Sequence, residues 1–119
     1  LDTVDAWMII DGVGTGLSTL EHTDMAQEWA AELARSHGKE FWVDVENAHM
    51  GAQNYPMTMD EFKKSLEVAA KHGSTQVTFD YAHYMSLLSP KPKAVELHED
   101  YEDYRQKVLK STRTGLVTE

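Results

Sequence analysis

Short runs of aromatic and β-branched residues return in this chain at nearly constant intervals, each followed by a helical pattern. The runs are residues 6–11 (AWMIID), 41–46 (FWVDVE) and 76–81 (QVTFDY). Thirty-three residues separate Asp11 from Asp44, and 34 separate Glu46 from Asp80. Turn-forming residues bound each run, as expected of buried strands. The spacing predicts a first helix starting near Thr23 or Asp24. Asp24 and Gln27 fit a capping box there, Trp29, Ala30, Leu33 and Ala34 form the apolar stripe, and Gly38 is the stop. A second helix is predicted between Thr58 and Gly73. Thr58 and Glu61 form its capping box, and Phe62, Leu66, Ala69 and Ala70 its stripe. A third is predicted over 93–110, with Val95, His98, Tyr101 or Tyr104, and Val108 facing inward. His37 and His72 each precede a glycine and read as caps at helix C-termini, where a cation meets the negative end of the dipole.

The order β-α-β-α-β-α implies an α/β fold with parallel strands and right-handed crossovers. Three such strands alone leave two open edges and one bare apolar face. A unit of about 34 residues is what a (β/α)8 barrel repeats. The chain is therefore expected to be a single α/β domain over 1–119: three parallel βα units forming a partial (β/α)8 TIM barrel, its C-terminal portion. With 119 residues and no initiator methionine, it reads as a piece of something longer.

The formal net charge of -9 would repel a phosphate backbone, so no nucleic-acid partner is expected. Anionic membranes are disfavoured for the same reason, and no apolar run approaches the ~18 residues that would span a bilayer. The chain is expected to carry no signal peptide of its own, any targeting segment belonging to the missing part. Cysteine is absent, which removes disulfides and thiolate metal sites.

Side chains alternate along a strand. Phe41, Val43 and Val45 form one set, suited to packing on helices, and Trp42, Asp44 and Glu46 the other. The same alternation is expected to set Ala6, Met8 and Ile10 against Trp7, Ile9 and Asp11. In the third run it sets Val77, Phe79 and Tyr81 against Thr78 and Asp80. Each strand would then end in a carboxylate on the face away from the helices. The C-terminal rim of a barrel is where catalytic side chains converge. Neighbouring carboxyls raise one another's pKa, and glycoside hydrolysis needs such a pair: one acid, one nucleophile or base. Glu46 is the expected acid/base, Asp11 or Asp80 its partner, and Asp44 an orienting group one layer deeper. Trp42, Asn47, His49, Tyr81, His83 and Tyr84 are expected to shape a sugar site. Asn47, His49, Gln53, Asn54 and Tyr55 follow Glu46 as a run of side chains that hydrogen-bond polyols.

Residues 9–16 (IIDGVGTG) are not a dinucleotide fingerprint, which needs G-x-G-x-x-G opening a helix directly. Gly12, Gly14 and Gly16 stand two apart, and residues 17–22 intervene before the expected helix. They read instead as a loop whose backbone passes close to a ligand or to neighbouring rim loops. No cofactor is expected. His49 and His83 lack H-x-x-x-H or H-E-x-x-H spacing, so no metal site is expected.

The segments IIDGVG, FWVDVE, FDYAHYMS and HEDYEDY resemble the C-terminal part of a bacterial family of unknown function. The resemblance covers roughly residues 5–108. It implies a (β/α)8 barrel grouped with the glycoside hydrolase superfamily, a carbohydrate ligand, and export to the periplasm or beyond. Function is thus expected to be glycoside hydrolase-like, with the isolated fragment inactive. The alternatives are a carbohydrate-binding barrel without catalysis, and a stand-alone α/β domain that completes its sheet by self-association rather than with the missing barrel half.

Overall fold

The structure is a computed structural model and describes residues 2–117, with side chains as far as residue 112. Chain order is β1 (Ala6–Ile10), α1 (Leu20–Ser36), β2 (Glu40–Glu46), a hairpin of β3 (Ala48–His49) and β4 (Tyr55–Pro56), α2 (Met59–Lys71), β5 (Thr75–Phe79), the short α3 (Tyr81–Tyr84) and α4 (Ala94–Val117). Strands β1, β2 and β5 form one parallel sheet in that order. The expected α/β class, three parallel strands alternating with helices, is what the chain adopts, and it matches part of a TIM-barrel-like fold. No helix among the described residues is long and apolar enough to cross a membrane.

One face of the sheet is covered. Phe41, Val43 and Val45 of β2 are buried in a cluster with Ala30, Ala31 and Ala34 of α1 and Phe62, Leu66 and Ala69 of α2. The alanines let α1 approach the sheet closely. Helix α2 begins as the sequence predicts. Thr58 Oγ1 accepts from Glu61 N at 3.3 Å, and Glu61 Oε2 accepts from Thr58 N at 2.9 Å. Thr58→Ala is expected to cost about 1 kcal/mol, read as a lower urea midpoint with unchanged slope. His37 and His72 are the C-cap residues of α1 and α2. Gly38 and Gly73 follow them at φ 65° and 68°, the left-handed conformation that glycine adopts without a Cβ clash.

The first helix starts earlier than expected, at Leu20, capped by Thr19 Oγ1, which accepts from His22 N at 3.2 Å. The expected box residues serve other contacts. Asp24 Oδ2 accepts from Lys71 Nζ at 2.7 Å, and Asp24 Oδ1 lies 2.5 Å from His72 Nε2, tying α1 to the end of α2. Gln27 is buried and donates to Thr23 Oγ1 at 3.1 Å. Thr19, Thr23 and Asp24 are all able caps, and the contact with α2 decides which of them caps.

The expected third helix is α4, and the short α3 before it was not expected. The inward stripe of α4 is Ala94, Leu97, Tyr101 and Tyr104, with the Tyr101 ring 5.9 Å from that of Phe62. Val95 and Val108, expected inside, are exposed. The apolar residues here allow two overlapping stripes, and packing on Phe62 selects the one containing Leu97.

Two strands present the opposite face from the one expected. In β1, Trp7 and Ile9 pack against the core, and Trp7 meets Trp29 edge-on at 6.4 Å. Met8 and Ile10 are 54% and 61% exposed. In β5, Gln76 turns to the helices, donating to Leu66 O at 3.2 Å. Thr78 pairs with buried Val45, whereas Phe79 pairs with Glu46 and is 54% exposed. Alternation then carries Asp11 to the helix side as well. Both candidate sets in β1 were apolar, so the strand's own composition could not choose between them.

Candidate functional site

Strand β2 alone places carboxylates on the open face of the sheet. Asp44 and Glu46 follow Trp42 there by alternation. The register sets Met8 beside Trp42 and Ile10 beside Asp44 on one side, and Val77 and Phe79 beside Asp44 and Glu46 on the other. Apolar neighbours on both flanks desolvate Asp44. Burial pushes its carboxyl above the ordinary value and the Glu46 charge adds to this, with an opposing hydrogen bond from the Phe79 backbone. Asp44 Oδ1 is buried without a hydrogen-bond partner, although β2 leaves the residue itself only half-buried.

Glu46 is 4% exposed, covered by the glycine loop. Its Oε2 accepts from Thr15 N at 2.9 Å. Gly14 O in turn accepts from Met50 N at 2.9 Å, which pins the loop onto the chain following β3. A Cβ on Gly14 would stand 2.0 Å from Ala48 O and 3.0 Å from Glu46 Cβ, so only glycine fits. Gly12 and Gly16 bracket the loop at φ 69° and 71°. Of the two expected uses of this loop, close approach to a neighbouring rim segment is the one seen.

Asp11 lies at the junction of β1, β2 and α2. Its Oδ1 accepts from Val13 N at 3.1 Å and from Glu46 N at 3.4 Å. Burial pushes its carboxyl up to about 6, the Glu46 charge adding and those hydrogen bonds opposing. Ser65 of α2 is close enough to stabilise the carboxylate slightly, yet Asp11 Oδ2 and Ser65 Oγ are both buried without a closed hydrogen bond. Asp11 therefore faces the helical layer, next to Glu46 but not on the open face.

The Asp80 carboxylate caps α3. Oδ1 accepts from His83 N and Oδ2 lies against His83 Nδ1, both at 2.7 Å. Asn47 is buried and reaches this corner, its Nδ2 donating to Asp80 O at 3.2 Å, while its Oδ1 has no partner. The structure thus brings together Asp11, Asp44 and Glu46, and gives Asp80 a separate task.

The expected sugar-shaping residues divide similarly. Trp42 is half-buried on the open face and donates from Nε1 to Glu40 Oε2 at 2.8 Å. Tyr81 is exposed, its hydroxyl 3.4 Å from His98 Nδ1. His83 is exposed beside Asp80, but Tyr84 is buried and offers no free ring face. His49 turns to α2, its Nε2 3.1 Å from Glu61 Oε1. Among the described residues no group of three or more histidines and carboxylates is arranged to hold a metal ion. Sequence reasoning missed Thr15 and Ser65. Ser65 had a signal, as a polar residue within the buried stripe of Phe62, Leu66 and Ala69; Thr15 acts through its backbone and had none.

The fold is similar to that of a crystal structure of a protein provisionally assigned as an alpha-L-fucosidase, from Bacteroides thetaiotaomicron VPI-5482. The TM-score is 0.76 at 26% identity, covering 87% of this chain and 32% of that one. The chain thus spans about a third of that protein's length. No curated protein sequence matches the chain. Residues 1–94 match the family described as a domain of unknown function, DUF4434, and the chain belongs to that family.

Proposed function

We propose that this chain is the C-terminal portion of a (β/α)8 barrel that processes carbohydrate, with Asp44 and Glu46 as its chemical pair. The observation that carries the reading is the position of these two carboxyls. They stand two residues apart on one strand, on the sheet's open face, between apolar flanks. Glycoside hydrolysis asks for two carboxyls in one desolvated cleft, one holding its proton better than an ordinary acid. Asp44 has the raised pKa that suits the acid, leaving Glu46 as base or nucleophile. This reverses the order expected from strand position, in which Glu46 was the acid and Asp44 an orienting group.

The bare face supports the larger body. Met8 and Ile10 on β1 and Phe79 on β5 are exposed on either side of β2, and β1 and β5 each have one unpaired edge among the described residues. Further strands of a barrel would cover both. The likeness to a longer, glycosidase-assigned protein supports the same reading.

A second reading, carbohydrate binding without hydrolysis, is favoured by the cover over Glu46. Catalysis requires the loop from Gly12 to Gly16 to lift, breaking the Thr15 contact; binding does not. The test is the full-length parent incubated with aryl α-L-fucosides and a panel of oligosaccharides, following reducing-end release alongside calorimetry. Turnover supports the hydrolase, and heat without turnover supports the binder. Neither heat nor turnover with any glycan would remove the carbohydrate reading.

A further inference from the structure

We infer that Tyr55, backed by His49, is a sugar-stacking subsite in the groove between the glycine loop and the β3–β4 hairpin. The inference rests on the carbohydrate reading above and names where a ring would sit. Tyr55 pairs with His49 across the hairpin, their ring centroids 4.9 Å apart at 31°. His49 is held from behind by Glu61, which is itself fixed by its capping bonds to Thr58. The Tyr55 ring is thus braced on one side, yet the residue is 54% exposed. A braced, exposed aromatic ring spends little entropy on binding, and its apolar face suits the C–H face of a pyranose.

The groove beside it measures about 350 Å³ and is lined by Gly14, Thr15, Gln53 and Tyr55, among others. That volume lies in the range of small-ligand pockets, ~300–1,000 Å³. Gln53 supplies an amide that can both donate to and accept from hydroxyls. Thr15 is the residue whose N–H holds Glu46, so a ring in this groove would press on the loop that covers the carboxylate. The chemical class is a neutral pyranose: no lysine or arginine lines the groove to favour an anionic sugar.

The test titrates the full-length parent calorimetrically with methyl α-L-fucopyranoside and with cellohexaose, for wild type, Tyr55→Phe and Tyr55→Ala. Phenylalanine keeps the stack, so Tyr55→Phe is expected to bind within about twofold of wild type. Tyr55→Ala is expected to weaken binding about fivefold to tenfold. The melting temperature of each variant, expected to stay at the wild-type value, separates lost stacking from lost fold. Wild-type binding with Tyr55→Ala unchanged would overturn the subsite and leave the carbohydrate reading standing. No binding of either probe by wild type, when other glycans in the panel do bind, also overturns the subsite. Failure of the whole panel removes both.

Discussion

Replacing Asp11 by asparagine is expected to stabilise the protein at pH 7 by about 1–3 kcal/mol and to flatten its stability between pH 4 and 6. The Asp11 carboxyl is pushed up to about 6 from an ordinary 3.8, chiefly by burial. A folded-state pKa above the unfolded one favours folding of the protonated form. That contribution is fully present below the unfolded value and is lost as pH rises through the folded one. Above pH 6 the buried charge costs about 3 kcal/mol, two units or so at ~1.4 kcal/mol each. Asparagine carries no charge, keeps an oxygen for the N–H groups of Val13 and Glu46, and offers an amide donor toward Ser65 Oγ. Urea denaturation across this pH range checks it. The Asp44 carboxyl is also raised, so a smaller slope of the same sign is expected to persist. A variant less stable than wild type at pH 7 would mean that the ionised form of Asp11 is required, contrary to its setting against α2.

The second large effect is expected at Gly14. Its φ lies outside the left-handed region, so the cost of Gly14→Ala is steric alone: the new Cβ would meet Ala48 O at 2.0 Å. Backbone cannot yield as a side-chain tip can. The loop must shift, and the Thr15 N–H then leaves Glu46. A loss of about 3 kcal/mol is expected. Gly16→Ala is the control. Nothing lies within 4 Å of its Cβ position, but φ is 71°, so only the left-handed strain of about 1 kcal/mol is expected. Equal losses for the two variants would show that loop conformation, rather than contact with β3, fixes the cover over Glu46.

The alternation of strands and helices was legible because each element carries its own punctuation. The Thr58–Glu61 box and the His-Gly stops at residues 37–38 and 72–73 are local chemistry, and local chemistry needs no partner to be read. What failed was the choice between two equally apolar faces. Trp7 and Ile9 differ little in hydrophobicity from Met8 and Ile10, and only the meeting of Trp7 with Trp29 shows which set lies inside. That choice moved Asp11 off the open face, and with the Asp80 carboxylate engaged in capping α3 the expected strand-end acids on the open face come down to the Asp44–Glu46 pair. Strand β2 was read correctly because Phe41, Val43 and Val45 oppose two carboxylates, which leaves no ambiguity. The cover over Glu46 was out of reach for another reason. It depends on a backbone N–H and a glycine contact 34 residues apart, Gly14 against Ala48, and neither has a side-chain signature.

Rates of glycan hydrolysis by the full-length parent carrying Glu46→Gln, Asp44→Asn or Asp80→Asn bear most directly on the proposed chemistry. Glu46→Gln and Asp44→Asn are each expected to lower kcat by at least about 100-fold with little change in KM. Asp80→Asn keeps an oxygen to cap α3 and loses only the charged pairing with His83, and is expected to stay within a few-fold of wild type. A parent that turns over glycans at the wild-type rate without Glu46 or Asp44, or that fails without Asp80, would contradict the assignment.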